Sequence, residues 1–189
     1  LTGKLTINGI QGHVAYPQRA NNPSTTIVKI LNELKNIKFD KGTKDFQPTN
    51  LEVTKININN SADNVIPELA EATFNIRFNN KHSSNSIKKR LNKIFKKLSK
   101  KNKSKFKIEY RVSGEAFLTK PNSTTFMIQN IIKEITKIKP KFSTTGGTSD
   151  GLEFGLVGKT MHKVDEAVSL KDLKNLNKIY LNILLKYFK

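Results

Sequence analysis

Residues 72–79 alternate without a break: Ala72, Phe74, Ile76 and Phe78 are apolar, while Thr73, Asn75, Arg77 and Asn79 between them are polar. Successive side chains on a strand point to opposite faces, so this segment has one face for a core and one for water. Such a strand belongs in an antiparallel sheet covered on one side. The flanking segments supply the rest. Residues 5–8 read as a strand, and Ile27, Ile30, Leu31 and Leu34 recur at helical spacing behind Pro23-Ser24, a suitable helix start. Leu51 and Val53 alternate with Glu52 and Thr54 as a second strand. Ile87, Leu91, Ile94, Phe95 and Leu98 line a second helix that Ser83 or Ser84 caps, and Phe106, Ile108, Tyr110 and Val112 make a last strand. Residues 2–115 therefore spell β-α-β-β-α-β, an α+β unit that closes as an antiparallel sheet with two helices.

Beyond Gly114 the pattern changes. A helix over 123–138 carries Phe126, Ile128, Ile131, Ile132 and Ile135, and a polar, glycine-rich loop over 142–151 follows it. A short apolar stretch, 152–157, leads to His162 and to a final helix. Ser169 and Asp172 have capping-box spacing at its start.

Composition narrows the chemistry. There is no cysteine, which excludes disulfides and thiolate sites and suits a reducing cytoplasm. Any metal must use His13, His82, His162 or carboxylates. The net charge is +19, but lysine, asparagine and isoleucine pervade the whole chain. The surplus therefore reads as a solvated surface rather than a nucleic-acid footprint. No apolar run approaches the ~18 residues of a membrane span. The chain opens in a strand pattern without an initiator Met and so reads as beginning inside a longer protein.

Taken singly, the polar candidates favour bland roles. The 143–151 loop has no phosphate-binding pattern, though its hydroxyls and N–H groups would suit a carboxylate. His162 and Glu166 are four residues apart, yet the segment precedes the capping Ser169 and reads as extended. His82 sits in a polar turn and reads as solvated. His13, at a strand-to-loop junction, could donate a hydrogen bond to a substrate.

The joint arrangement is more specific. Gly12-His13-Val14-Ala15-Tyr16-Pro17, then Asn64-Val65-Ile66-Pro67, then Phe74-Asn75-Ile76-Arg77-Phe78 resemble the lid and dimerisation domain of M20-type metallohydrolases. Ser113-Gly114-Glu115-Ala116-Phe117-Leu118-Thr119, the run from Ser143 to Gly151, and His162-Lys163-Val164-Asp165-Glu166 resemble the succinyl-diaminopimelate desuccinylase branch. The resemblance implies a zinc-dependent hydrolysis of N-succinyl-LL-2,6-diaminopimelate to succinate and LL-2,6-diaminopimelate. It implies that residues 2–115 are the lid and 116–189 the C-terminal remnant of an α/β catalytic domain.

It also assigns roles. His162 matches a zinc ligand, and His13 a lid histidine that stabilises an oxyanion in the partner subunit's site. Tyr16, Asn64 and Arg77 match substrate-holding lid residues; Ser113, Gly147 and Thr148 match binding loops on the catalytic side. A small-molecule substrate and a homodimer through the lid sheet follow, with no membrane. The family's two zinc ions need further ligands and a general base that this chain lacks, so the chain is expected to be inactive alone. A separate N-terminal fragment could complete it. After Gly151 the family's substrate-binding Arg is also missing. Two other readings are a dimerisation module without catalysis and a basic RNA-binding module; the latter lacks the stacking aromatics such domains use.

Overall fold

The computed structural model describes residues 1–102, 105–144, 160 and 162–188. The chain divides into two units, Leu1–Phe117 and Leu118–Lys189.

In the first unit the strands are β1 (Thr2–Asn8), β2 (Gly12–His13), β3 (Asn50–Asn57), β4 (Val65–Ile66), β5 (Leu69–Arg77) and β6 (Phe106–Arg111). Two helices, α1 (Pro23–Lys35) and α2 (Ser84–Asn102), interrupt them. The main sheet is antiparallel in the order β3-β5-β1-β6, and β2 pairs with β4 in a separate two-stranded ladder. This is the expected β-α-β-β-α-β order with one small ladder added. The alternation in β5 is realised directly: Ala70, Ala72, Phe74 and Ile76 are fully buried, and Arg77 is exposed. Both helices lay their apolar stripes on this face, Ile27, Ile30 and Leu34 from α1 and Ile87, Leu91 and Phe95 from α2.

Gly3 faces Phe74 across the β1–β5 ladder. A Cβ there would fall on the Phe74 ring, so only glycine lets the ring lie flat over β1.

The helix ends follow local chemistry. The Asn22 carboxamide oxygen accepts from the Ser24 N–H at 2.9 Å, ahead of Pro23 in the first turn of α1. Ser83 and Ser86 exchange hydrogen bonds at 3.0 and 3.2 Å at the start of α2. The Glu115 carboxylate also accepts from the Ser84 N–H, at 2.9 Å, where a helix N-terminus favours an anion. The Ser84 hydroxyl and N–H together hold Glu115 below the ordinary glutamate range. Glu115 thereby pins the segment leaving the sheet onto α2.

No carboxylate occurs between Glu71 and Glu109, while thirteen lysines and arginines do. Lys89, Lys93 and Lys97 stand four residues apart on α2, a like-charge spacing that costs a few tenths of a kcal/mol per pair. The helix is held by its buried face, not by its surface charges.

His82 departs from expectation. Rather than facing solvent, its Nε2 donates to Asp40 Oδ2 at 3.0 Å, with the two side chains 18% and 6% exposed. Asp40 also accepts from the Gly42 N–H at 2.6 Å, the Thr49 N–H at 3.2 Å and the Asn79 amide at 2.7 Å. Gly42 sits at φ 81°, a left-handed turn that suits glycine. Arg90 closes the cluster from α2. Its guanidinium lies 4.8 Å from the Phe39 ring centre and donates to the Lys38 carbonyl at 2.6 Å. The segment between α1 and β3 is thus tied to the β5–α2 turn.

The second unit contains α3 (Ser123–Thr136) and α4 (Leu170–Tyr187), packed through Ile131, Ile132 and Ile179. α3 stops two residues before the expected end because Lys137 adopts φ 63° and its N–H bonds back to the Lys133 carbonyl at 2.9 Å. The Ser169 cap of α4 is as expected, its hydroxyl oxygen accepting from the Asp172 N–H at 3.0 Å. Leu170, Leu173, Leu181, Leu184 and Leu185 remain exposed on α4, more apolar surface than α3 covers. Among the described residues this unit has no strand, and most of the 142–151 loop and all of 152–157 lie outside them.

Candidate functional site

The chain reverses after β1. The Gly9 N–H donates to the Glu68 carbonyl at 2.7 Å, and Ile10 and Asn21 bridge at 2.9 and 3.0 Å. Gly12 passes too close to Ala20 for a side chain. His13 then pairs with Val65, and the Val14 N–H donates to the Asn64 carbonyl at 3.0 Å. A turn closes with the Tyr16 N–H on the His13 carbonyl at 2.9 Å, and a short 3-10 helix, Pro17–Arg19, follows.

This backbone brings three of the expected residues together. His13 is exposed, with the Tyr16 ring 5.9 Å from its own, and Asn64 lies on the facing strand connection. Arg19 joins them, its guanidinium 5.3 Å from the Tyr16 ring centre. Sequence reasoning missed Arg19. The signal was its place three residues after Tyr16 behind a Pro, since residues three apart eclipse on a 3-10 turn. The His13 Nδ1 accepts from the Ala15 N–H at 3.1 Å.

Arg77 and Ser113 stand elsewhere. Arg77 ends β5, and Ser113 follows β6 by two residues. Both lie at the Thr2 end of the sheet, since Thr2 pairs with Asn75 and with Arg111. His13 and Asn64 lie at the other end, beyond Asn8 and its partner Leu69. Eight residues of strand separate the two ends, about 26 Å at ~3.3 Å each.

His162 lies in the second unit, on a turn rather than the expected extended segment. The Thr160 hydroxyl donates to the Ala167 carbonyl at 2.7 Å and accepts its N–H at 3.1 Å, closing the loop around it. The His162 N–H donates to Glu166 Oε2 at 3.3 Å. Its φ of 62° is left-handed, a conformation that costs a non-glycine residue about 1 kcal/mol. Gly147 and Thr148 lie outside the described residues. Among the described residues no three His, Asp or Glu side chains gather as a metal site. His162 alone does not suffice to hold a metal ion.

Comparison with known proteins settles the grouping. The M20 family model for a peptidase dimerisation domain matches residues 1–103. The chain belongs to this family. The match takes in His13, Tyr16, Asn64 and Arg77 together. Among curated relatives, a succinyl-diaminopimelate desuccinylase of Pelagibacter ubique (strain HTCC1062) is 75% identical, covering 100% of this chain and 51% of its own length. A succinyl-diaminopimelate desuccinylase of Rickettsia bellii (strain RML369-C) is 46% identical, over 97% of this chain and 49% of its own. The chain spans about half the length of the curated relatives it matches. The Pelagibacter alignment runs over 197 positions against 189 residues here, so that relative carries extra residues within the match.

Solved structures agree on the fold. The di-peptidase Dug1p of Saccharomyces cerevisiae superposes with a TM-score of 0.75 at 14% identity, over 98% of this chain and 53% of its own. The aminopeptidase PepT of Bacillus cereus gives 0.66 at 13%, over 100% and 52%. Among the described residues no helix is long and apolar enough to cross a membrane.

Proposed function

We propose that this chain is the C-terminal portion of a zinc-dependent amide hydrolase that cleaves N-succinyl-LL-2,6-diaminopimelate to succinate and LL-2,6-diaminopimelate in the cytoplasm. The observation that carries this reading is the 75% identity to a desuccinylase along the whole chain, at half the relative's length. On this reading residues 2–115 are the lid and dimerisation domain, and 116–189 close the catalytic domain. His162 is one ligand of a metal site whose other ligands belong to the half of the enzyme outside the chain. Gly147 and Thr148 belong to its binding loops. When bound, the metal would activate the attacking water. The exposed leucines of α4 are the surface that the other half covers.

What this chain contributes is recognition and charge stabilisation. His13 donates to the oxygen that becomes negative as water adds to the amide carbonyl. Tyr16 and Asn64 flank it, and Arg77 and Ser113 hold the carboxylates of the substrate, Arg77 through its two-pronged guanidinium. The distance between the two ends of the sheet bars one copy from placing both groups on one small molecule. A two-fold dimer removes that obstacle, with one copy's Arg77 end and its partner's His13 end serving the same substrate. The sheet has two outer strands, β3 and β6. β6 lies beside the basic helix α2, whose Lys96 lines a groove with Phe106 and Ile108, so two copies meeting there would bring like charges together. β3 carries exposed Ile56 and packs against α1, which carries exposed Val28, and it is the edge we assign to the dimer.

The test is succinate release from N-succinyl-LL-2,6-diaminopimelate with zinc present. The chain alone should release none. Combined with the N-terminal half of the Pelagibacter relative it should turn over, and His13→Ala should lower that rate about 10²–10³-fold, the scale of one lost oxyanion donor. Turnover by the chain alone that survives His162→Ala would defeat the proposal, as would silence of the combined halves after they are shown to associate.

A further inference from the structure

The His13 ring has one nitrogen committed and one available. Nδ1 accepts the Ala15 N–H at 3.1 Å, while no described residue bonds Nε2. A neutral imidazole carries one proton, and a nitrogen that accepts from a backbone N–H cannot hold it. We propose that the Ala15 N–H biases His13 toward the Nε2–H tautomer, so that the lid presents mainly a proton donor at its tip. Ala15 is then a positioning residue that acts through its backbone rather than its methyl group. The partner suited to His13 is an oxygen that carries or gains negative charge, a carboxylate or an amide carbonyl under attack. The proposal deepens the donor role given to His13 above and rests on that role for its use, though not for its test.

The surrounding backbone makes the arrangement selective. The His13 carbonyl is held by the Tyr16 N–H, and the Val14 N–H by the Asn64 carbonyl, so the Ala15 N–H is aimed at the ring by a turn fixed on both sides. Moving the proton to Nδ1 would set two N–H groups against each other. The loss of one hydrogen bond of this kind biases the tautomers roughly two- to tenfold. Adding a second proton to the ring has the same local effect, since it removes the acceptor and sends the ring away from Ala15.

Nitrogen NMR of the labelled chain, without substrate or zinc, decides the matter. At neutral pH the His13 ring should give the Nε2–H pattern, with a scalar coupling across the hydrogen bond from the Ala15 nitrogen to Nδ1. Acidification should abolish that coupling. Ala15→Gly, which keeps the N–H, should preserve both signals. Ala15→Pro, which removes it, should move the tautomer ratio two- to tenfold toward Nδ1–H. If proline disrupts the turn, as Val14 and Asn64 shifts would reveal, the wild-type coupling still decides. An Nδ1–H pattern or an absent coupling would overturn the proposal. None of these readouts depends on turnover, so a failed desuccinylase assay leaves them intact.

Discussion

Phe74→Ala is expected to destabilise the first unit by about 3–5 kcal/mol, the usual cost of deleting a fully buried aromatic ring from a packed core. The ring touches more than a hydrophobic average. It lies over the Gly3 position on β1, and its centre is 6.3 Å from that of the tilted Phe95 ring of α2, so one side chain joins sheet to helix. The two sites are therefore coupled. Gly3→Ala should cost about 1–3 kcal/mol in the wild-type core, because the new methyl has nowhere to go. In the Phe74→Ala background that penalty should largely vanish, since the cavity receives the methyl. Urea unfolding followed through amide signals of β1 and β5 measures all four corners of this cycle. Additive costs would mean that the ring leaves Gly3 by another route and that the close approach is unimportant.

Acid should loosen the same unit at Asp40. Burial by itself would raise the pKa of this carboxyl, but hydrogen bonds from Thr49, Gly42 and Asn79 outweigh burial and hold it well below the usual aspartate range. A carboxylate whose pKa is depressed on folding contributes stability that is complete above its unfolded value, ~3.9, and is lost as pH falls toward its folded value. The unfolding midpoint should accordingly drop as pH falls below about 4, and Asp40→Asn should flatten that drop. Asp40→Ala should cost about 3 kcal/mol at neutral pH, because buried partners on Asn79, Thr49 and His82 lose their acceptor. Urea midpoints between neutral pH and about pH 3 give both quantities. An Asp40→Asn chain with the wild-type acid slope would show that other carboxylates set it.

What was legible in the sequence was local. The β5 alternation, the α1 and α2 stripes and the Ser169 cap each sit within a few residues, where period and capping chemistry leave a direct mark. What was not legible joins distant residues. Asp40 and His82 are 42 positions apart, and Glu115 reaches back 31 to the start of α2. His82 in its polar turn gave no sign of a carboxylate partner. The left-handed Lys137 that ends α3 has no glycine to announce it. The candidate site behaved similarly: the ordered motifs pointed to a family that no single residue would have revealed. They did not tell that Arg77 and His13 lie at opposite ends of the main sheet, because that follows from strand register alone.

That spacing along β5 reaches into inheritance. A cell carrying two damaged copies of the gene, one encoding His13→Ala and the other Arg77→Ala, should not be as impaired as either alone. In the proposed dimer a mixed pair holds one composite site with both groups whole and one with both missing. The two alleles would then rescue each other, as scored by growth without supplied diaminopimelate. Two alleles altered at the same end, His13→Ala with Asn64→Ala, would leave every mixed pair with one lesion in each site and give no rescue.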